Sequence, residues 1–200
     1  MIASLQLWIA VGVLGAIVVA GVAGSFLLLA MGRLGLDLGW GRSIHQLGPI
    51  TIRIGAPRDM VFEMIRAPYA GRTPRGSGIE VLARGDGLAV AAHHTKVHFY
   101  TSRTVEVIEF DPPGRIRFRH LAGPVPHAVE EFAIGEADDA TEIRYEGEVG
   151  IDFFVLGTLA GRHWVRPQWE GTVREHLEDL KTRAEQRASR RSRQPGEARR

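Results

Sequence analysis

Two hundred residues of near-average composition, 44% hydrophobic and 24% charged, hold one ordinary domain and an appendage. They exclude a wholly disordered chain, a collagen and a polytopic membrane protein, and the lack of any cysteine excludes disulfides, thiolate chemistry, iron–sulfur clusters and cysteine-based zinc sites. The formal charge of +2 is unevenly spread: of 25 basic and 23 acidic residues, eight basic and two acidic lie from Lys181 onward, leaving the first 180 residues with 17 against 21.

Met1 to Gly32 contains no charged side chain. As a helix, Ile2 to Met31 would be about 45 Å long at 1.5 Å per residue, against about 30 Å of bilayer core. Residues 1–33 therefore read as a transmembrane helix. A cleaved signal peptide ending near Gly21-Val22-Ala23 is the competing reading, but no basic residue precedes the apolar run. Arg33 and Arg42 follow the span and none precedes it, so the positive-inside rule places the carboxyl side in the cytoplasm of a single-pass plasma-membrane protein. Gly12, Ala16, Ala20 and Gly24 recur every four residues, a small-residue stripe of the kind along which membrane helices pair, and suggest a homodimer.

After a linker, 34–46, one domain is expected over 47–188. Ile50 to Ile54 alternates as a strand. Pro57 and Asp59 then suit the first turn of a helix with Val61, Phe62 and Ile65 on its apolar face, ended by Pro68. Tyr69 to Gly78 reads as a loop. Strands follow at about 79–83, 88–97, 101–110, 116–121, 127–135 and 142–149, separated by Gly, Pro and Asp turns. Pairing Glu136 with Thr141 puts Ile134 opposite Ile143 and Phe132 opposite Tyr145, four large apolar groups on one face. Matching Phe110 and Ile108 with Ile116 and Phe118 needs a five-residue connection or a bulge. A long helix starts near Asp152, is interrupted by Gly157, Gly161 and Pro167, and runs cleanly over 166–187 with Trp169, Val173, Leu177, Leu180 and Ala184 on one face. The basic segment 189–200 has no apolar residue except Ala198 and is expected to be disordered, facing anionic lipid or solvent rather than nucleic acid.

This order is strand, helix, many antiparallel strands, long amphipathic helix. With Ile52 to Pro57 leading into Val61-Phe62, Val105 to Pro113, Tyr145 to Val149, and Trp169 opening the last helix, the chain resembles the START-like, polyketide-cyclase superfamily (SRPBCC) over about 50–187. The resemblance implies an α+β helix-grip fold: a curved antiparallel sheet of six to seven strands around the C-terminal helix, with an apolar cavity between them. The superfamily spans lipid and hormone carriers, quinone-binding proteins and polyketide cyclases.

The motifs that carry chemistry are few. His93 and His94 are adjacent on a strand and point to opposite faces, so they do not chelate one ion, and His94 and His98 stand about 13 Å apart. No metal and no cofactor are expected, and these histidines read as surface residues. Gly71 to Ser77 has the glycine spacing of a P-loop without its lysine and reads as a loop at the cavity mouth. Glu106 with Glu109, or Glu130 with Glu131, could supply acid–base pairs, but charged residues alternating with apolar neighbours on a strand read first as the solvated face. His120 shares a face with Ile116 and Phe118, and Glu130 shares one with Phe132, so these two are the candidate acid–base groups. Phe62, Phe118, Phe132, Tyr145, Trp169 and Val173 are the expected ligand-binding wall. The reading is a membrane-anchored domain that binds a hydrophobic small molecule or lipid. The alternatives are a polyketide cyclase or dehydratase, and a non-catalytic membrane scaffold whose cavity is filled.

Overall fold

The computed structural model describes residues 2–35, 37–71, 78–97 and 100–193. Helix α1 (Ile2–Ala30) comes first, then strand β1 (Ser43–Ile54) and helix α2 (Arg58–Ala70). Six strands follow: β2 (Ile79–Gly85), β3 (Leu88–Val97), β4 (Tyr100–Asp111), β5 (Arg115–Ala122), β6 (His127–Ala137) and β7 (Ala140–Ile151). The chain closes with α3 (Phe154–Ala160), a π-helical turn (Gly161–Val165) and α4 (Arg166–Arg193). The seven strands form one antiparallel sheet in the order β1-β7-β6-β5-β4-β3-β2. Helices α2 and α4 pack together, and α4 lies on β1.

The sheet buries one face because its strands alternate. On β7, Thr141, Ile143, Tyr145 and Val149 point inward. On β6, Ala128, Glu130 and Ile134 do. The β6–β7 hairpin has the expected register, with Glu136 opposite Thr141, Ile134 opposite Ile143 and Phe132 opposite Tyr145. The β4–β5 hairpin pairs Phe110 with Ile116 and Ile108 with Phe118, and Asp111 also pairs with Arg115, leaving Pro112 to Gly114 as the turn. Opposite the sheet, α4 contributes Val173, Leu177, Leu180 and Ala184, which recur at helical spacing and are all buried. Each large apolar side chain so enclosed contributes about 1.5–3 kcal/mol.

Three boundaries differ from expectation. β1 starts at Ser43, not Ile50. A register shift between Leu47 and Ile50 lets Ser43 pair with Ile151, and the Gly48-Pro49 break at that shift interrupts the alternation that would have revealed the first half. α2 runs through Pro68 to Ala70, so Tyr69 is helical rather than loop. Proline strains only this last turn, and the buried ring of Tyr69 holds it against Phe110 and Phe118. α4 continues to Arg193, so 189–193 are helical, with Arg190, Arg191 and Arg193 at the negative end of the helix dipole. Residues 194–200, residues 72–77 of the expected Gly71 to Ser77 loop, and His98 lie outside the described residues.

Helix α1 is not buried by the rest of the molecule, and Trp8–Ala30 is long and apolar enough to cross a membrane. Gly12, Ala16, Ala20 and Gly24 lie exposed on it. Its end touches the sheet where the Arg103 amide donates to the Met31 carbonyl at 3.0 Å.

The following segment is strapped to β7 by one carboxylate. Asp152 accepts from the Leu38 and Gly39 amides at 2.9 Å each and from Arg42 Nε at 2.7 Å. The Arg42 hydrogen bond is the largest cause holding the Asp152 carboxyl below its ordinary range.

Candidate functional site

The inner face of the sheet is apolar at its margins and polar at its centre. Glu106 on β4 pairs across the strands with His120 on β5 and with Ala91 on β3. Ala89 and Ala91 on the same face are small and buried, which leaves room beside them for longer side chains. His93, also on β3, donates from Nδ1 to Glu106 Oε2 at 2.8 Å. Its Nε2 lies 3.0 Å from the Tyr69 hydroxyl at the end of α2. The side chain of His120 is 1% exposed, with Nδ1 3.9 Å from Glu106 Oε1. That is too long for a hydrogen bond, and neither ring nitrogen of His120 has a hydrogen bond of good geometry among the described residues, although the Ala122 backbone is close enough to act on the ring.

A second carboxylate stands one strand further on. Glu130 on β6 lies opposite Phe118 on β5 and Gly147 on β7. A Cβ at Gly147 would come within 2.6 Å of the Val129 carbonyl and 3.2 Å of Glu130 Cγ, so glycine is what lets this carboxylate sit there. Glu130 Oε1 accepts from the Tyr145 hydroxyl at 2.6 Å and from Trp169 Nε1 at 2.8 Å. Trp169 is the first large apolar residue of α4, so this carboxylate ties the terminal helix to the sheet. Its ring centroid is 6.5 Å from that of His120, which places the tryptophan between the two polar groups.

These surroundings push the carboxyls apart. Burial raises Glu130 to about 7, and the charge of Glu106 adds to this against the hydrogen bonds from Tyr145 and Trp169. Burial would raise Glu106 as well, but the hydrogen bond from His93 and the nearby charges of His93 and His120 outweigh it and hold Glu106 below its ordinary value. Burial lowers His120, and it raises the Tyr69 hydroxyl, as do the charges of Glu106 and Glu130. At neutral pH the layer thus holds an ionised Glu106, a Glu130 near its midpoint and a neutral His120.

Similarity to solved structures agrees with this architecture. A Thermus thermophilus protein superposes with a TM-score of 0.57 at 18% identity, over 71% of this chain and 97% of that one. The di-domain aromatase/cyclase BexL of the BE-7585A biosynthetic pathway gives 0.59 at 23% identity, over 72% of this chain and 50% of that one. The Streptomyces aromatase/cyclase Zhui gives 0.52 at 23% identity, over 78% and 98%. This chain has the helix-grip fold that these structures share. No family model matches it and no curated protein does.

Within this helix-grip domain, the six expected wall residues lie in one layer between the sheet and the helices. Phe62, Phe118, Tyr145 and Val173 are buried, and Phe132 and Trp169 are partly buried against the same core. The rings close on one another: Phe118 and Phe132 have centroids 5.6 Å apart, and Phe132 and Tyr145 are 5.0 Å apart. Aromatic side chains thus meet one another in the layer where the apolar cavity was expected. A recess of about 130 Å³ opens beside Tyr69 and Phe110, between the end of α2 and the β2–β3 turn. Ligand pockets are usually about 300–1,000 Å³, so a larger guest needs displaced side chains.

His120 and Glu130 both project into this layer, as their strand faces predict. Two other readings are corrected. Glu106 is buried rather than solvated, and His93 is mostly buried beside it, while His94 on the opposite face is exposed. Valines on both sides of Glu106 hide its direction, yet Glu106 and Glu109 are an odd number of residues apart. They cannot share a face, and that spacing is the signal that one of them points inward. The place of Tyr69 in this layer is hidden in the sequence by Pro68 before it. Among the described residues, no group of three His, Asp or Glu stands where it could hold a metal.

Proposed function

We propose that the domain binds an apolar small molecule or lipid carrying one polar group, between the sheet and α4, and that α1 anchors it in a membrane with the domain on the cytoplasmic side. The observation behind this is the strip of Glu106, His93, His120 and Glu130 set in an apolar layer, with neither nitrogen of His120 in a well-formed hydrogen bond among the described residues. A layer evolved for stability alone would gain by replacing these groups with hydrocarbon, since buried ions and unpaired polar atoms cost free energy. A guest with a carbonyl or hydroxyl would satisfy His120 while its apolar body replaces ring contacts around Phe118 and Phe132. The membrane anchor raises the local concentration of any lipophilic guest. The acidic balance of residues 1–180 disfavours nucleic acid as a partner.

A catalytic reading is favoured by one further observation. Glu130 titrates near neutrality, and a buried neutral His120 lies across Trp169 from it. Such a pair suits proton transfer in a cyclisation or dehydration.

The test uses Trp169 as reporter. The full chain with Trp8, Trp40 and Trp164 changed to Phe, in nanodiscs, is titrated with fatty acids, quinones and aromatic polyketide-like compounds. Binding changes Trp169 emission, and His120→Leu weakens it by about ten-fold, one buried hydrogen bond. For a carrier, Glu130→Gln leaves the ligand chemically unchanged, as the wild type does. For a cyclase, the wild type converts it and Glu130→Gln binds without converting. No response to any class sinks the binding reading and leaves the scaffold.

A further inference from the structure

One end of the sheet turns an apolar surface to solvent. The register defines that end. The start of β1, the end of β7, the start of β6, the end of β5 and the start of β4 meet there, since Ser43 pairs with Ile151, His127 with Gly150 and Val105 with Ala122. Helix α1 ends at the same place: Met31 accepts from Arg103, and Gly32 lies against Gly123.

Helix α3 follows β7 directly and is inside-out for a helix in water. Small residues of α3 and the π turn face the domain, where a side chain on Gly157 would strike the Asp152 carbonyl and one on Gly161 the His45 ring. Their large residues face outward. Val155 is 70% exposed, Leu156 73% and Trp164 of the π turn 72%, with Phe154 and Leu159 beside them. An amphipathic helix at an aqueous surface has the reverse arrangement. Trp40 is exposed as well and stands edge-on to Phe154 at 5.4 Å, which joins the strap to this surface.

The backbone is strained to build it. Phe153 and Phe154 have φ of 79° and 50°, a region costly for bulky residues. Their amides are held at 2.9 Å by the carbonyls of Trp40 and Gly41.

We infer that this surface is a second membrane contact, in which α3 and its flanks lie in the bilayer interface beside the point where α1 enters. The position of the α1 end argues for lipid, because an α1 that spans a bilayer delivers the membrane surface to this end of the sheet. The composition agrees: two tryptophans at head-group level, aliphatic side chains below, and exposed Arg33 and Arg162 facing anionic head groups. The contact fixes how the domain stands on the membrane. The inference rests on the membrane-anchor reading above.

The cysteine-free chain makes the test direct. Full-length Leu156→Cys and, at the opposite end of the sheet, Asp139→Cys are each labelled with an environment-sensitive fluorophore. They are reconstituted in phosphatidylcholine–phosphatidylglycerol vesicles. Flotation reports anchoring, and quenchers carried on the lipid or dissolved in water report the label's surroundings. The expected result is co-flotation, with lipid-borne quencher lowering the Leu156→Cys signal about two-fold and leaving Asp139→Cys unchanged. Co-flotation with the Leu156→Cys label open to aqueous quencher overturns this inference and leaves the anchor standing. A label shielded from both quenchers identifies protein, a second copy or a partner, and overturns the lipid assignment. A chain that does not float overturns both readings.

Discussion

Glu130 carries the most informative titration in the molecule. The fold holds it protonated up to about 7, while the unfolded chain releases that proton near the ordinary 4.5. Its contribution to stability is therefore complete below pH 4.5 and is lost as pH rises to 7, by about 3 kcal/mol. His120 works in the opposite sense: burial lowers it, so its contribution is present above its ordinary 6.5 and is lost as pH falls. The difference between the wild type and Glu130→Gln isolates the carboxyl. Urea unfolding from pH 4.5 to 7 is expected to show the wild type losing about 3 kcal/mol relative to the variant, and parallel curves would refute the burial argument. Gly147→Ala tests the space behind the same group. Its methyl meets the Val129 carbonyl and Glu130 Cγ, so a loss of about 1–3 kcal/mol is expected by chemical denaturation, and a neutral result would mean the strands part without cost. His120 and Glu130 were readable as inward-facing because each shares a strand face with phenylalanine and no competing pattern surrounds it. Glu106, flanked by valines, was not.

Among the elements, the strap and α3 are the least visible in sequence and the most exposed to a single substitution. Asp152 gathers the Leu38 and Gly39 amides and Arg42 from more than a hundred residues away, a contact no local pattern encodes. Asp152→Ala leaves these donors to water or unpaired and is expected to cost about 2 kcal/mol, roughly 4–8 °C in Tm for a chain of this length. Its hydrogen-exchange signature is faster exchange at 38–42 with the β6–β7 hairpin unchanged; uniform loss of protection would mean that the strap belongs to the global fold. By contrast, the β6–β7 register and the buried face of α4 followed from sequence periodicity alone, because one buried face selects one register and one helical stripe. β1 and α2 were misjudged at their ends for the same kind of reason. Pro68 was read as a stop where the burial of Tyr69 carries α2 through, and the break at Gly48-Pro49 hid the first half of β1, which its pairing with β7 carries back to Ser43.

For the whole molecule, the helix-grip architecture was legible from element order, whereas the state of its interior was not. Side-chain spacing cannot show whether rings facing one another stand apart or meet, and here Phe118, Phe132 and Tyr145 meet. The central claim is that this layer, with His120 in no well-formed hydrogen bond among the described residues, is a binding site in its resting form. The most direct measurement is native mass spectrometry of the full chain released gently from its own membranes. A binding domain is expected to carry a stoichiometric lipophilic molecule on the wild type that is depleted in His120→Leu. A wild-type chain that is folded, anchored and uniformly empty would contradict it and make the domain a membrane scaffold with a solid core.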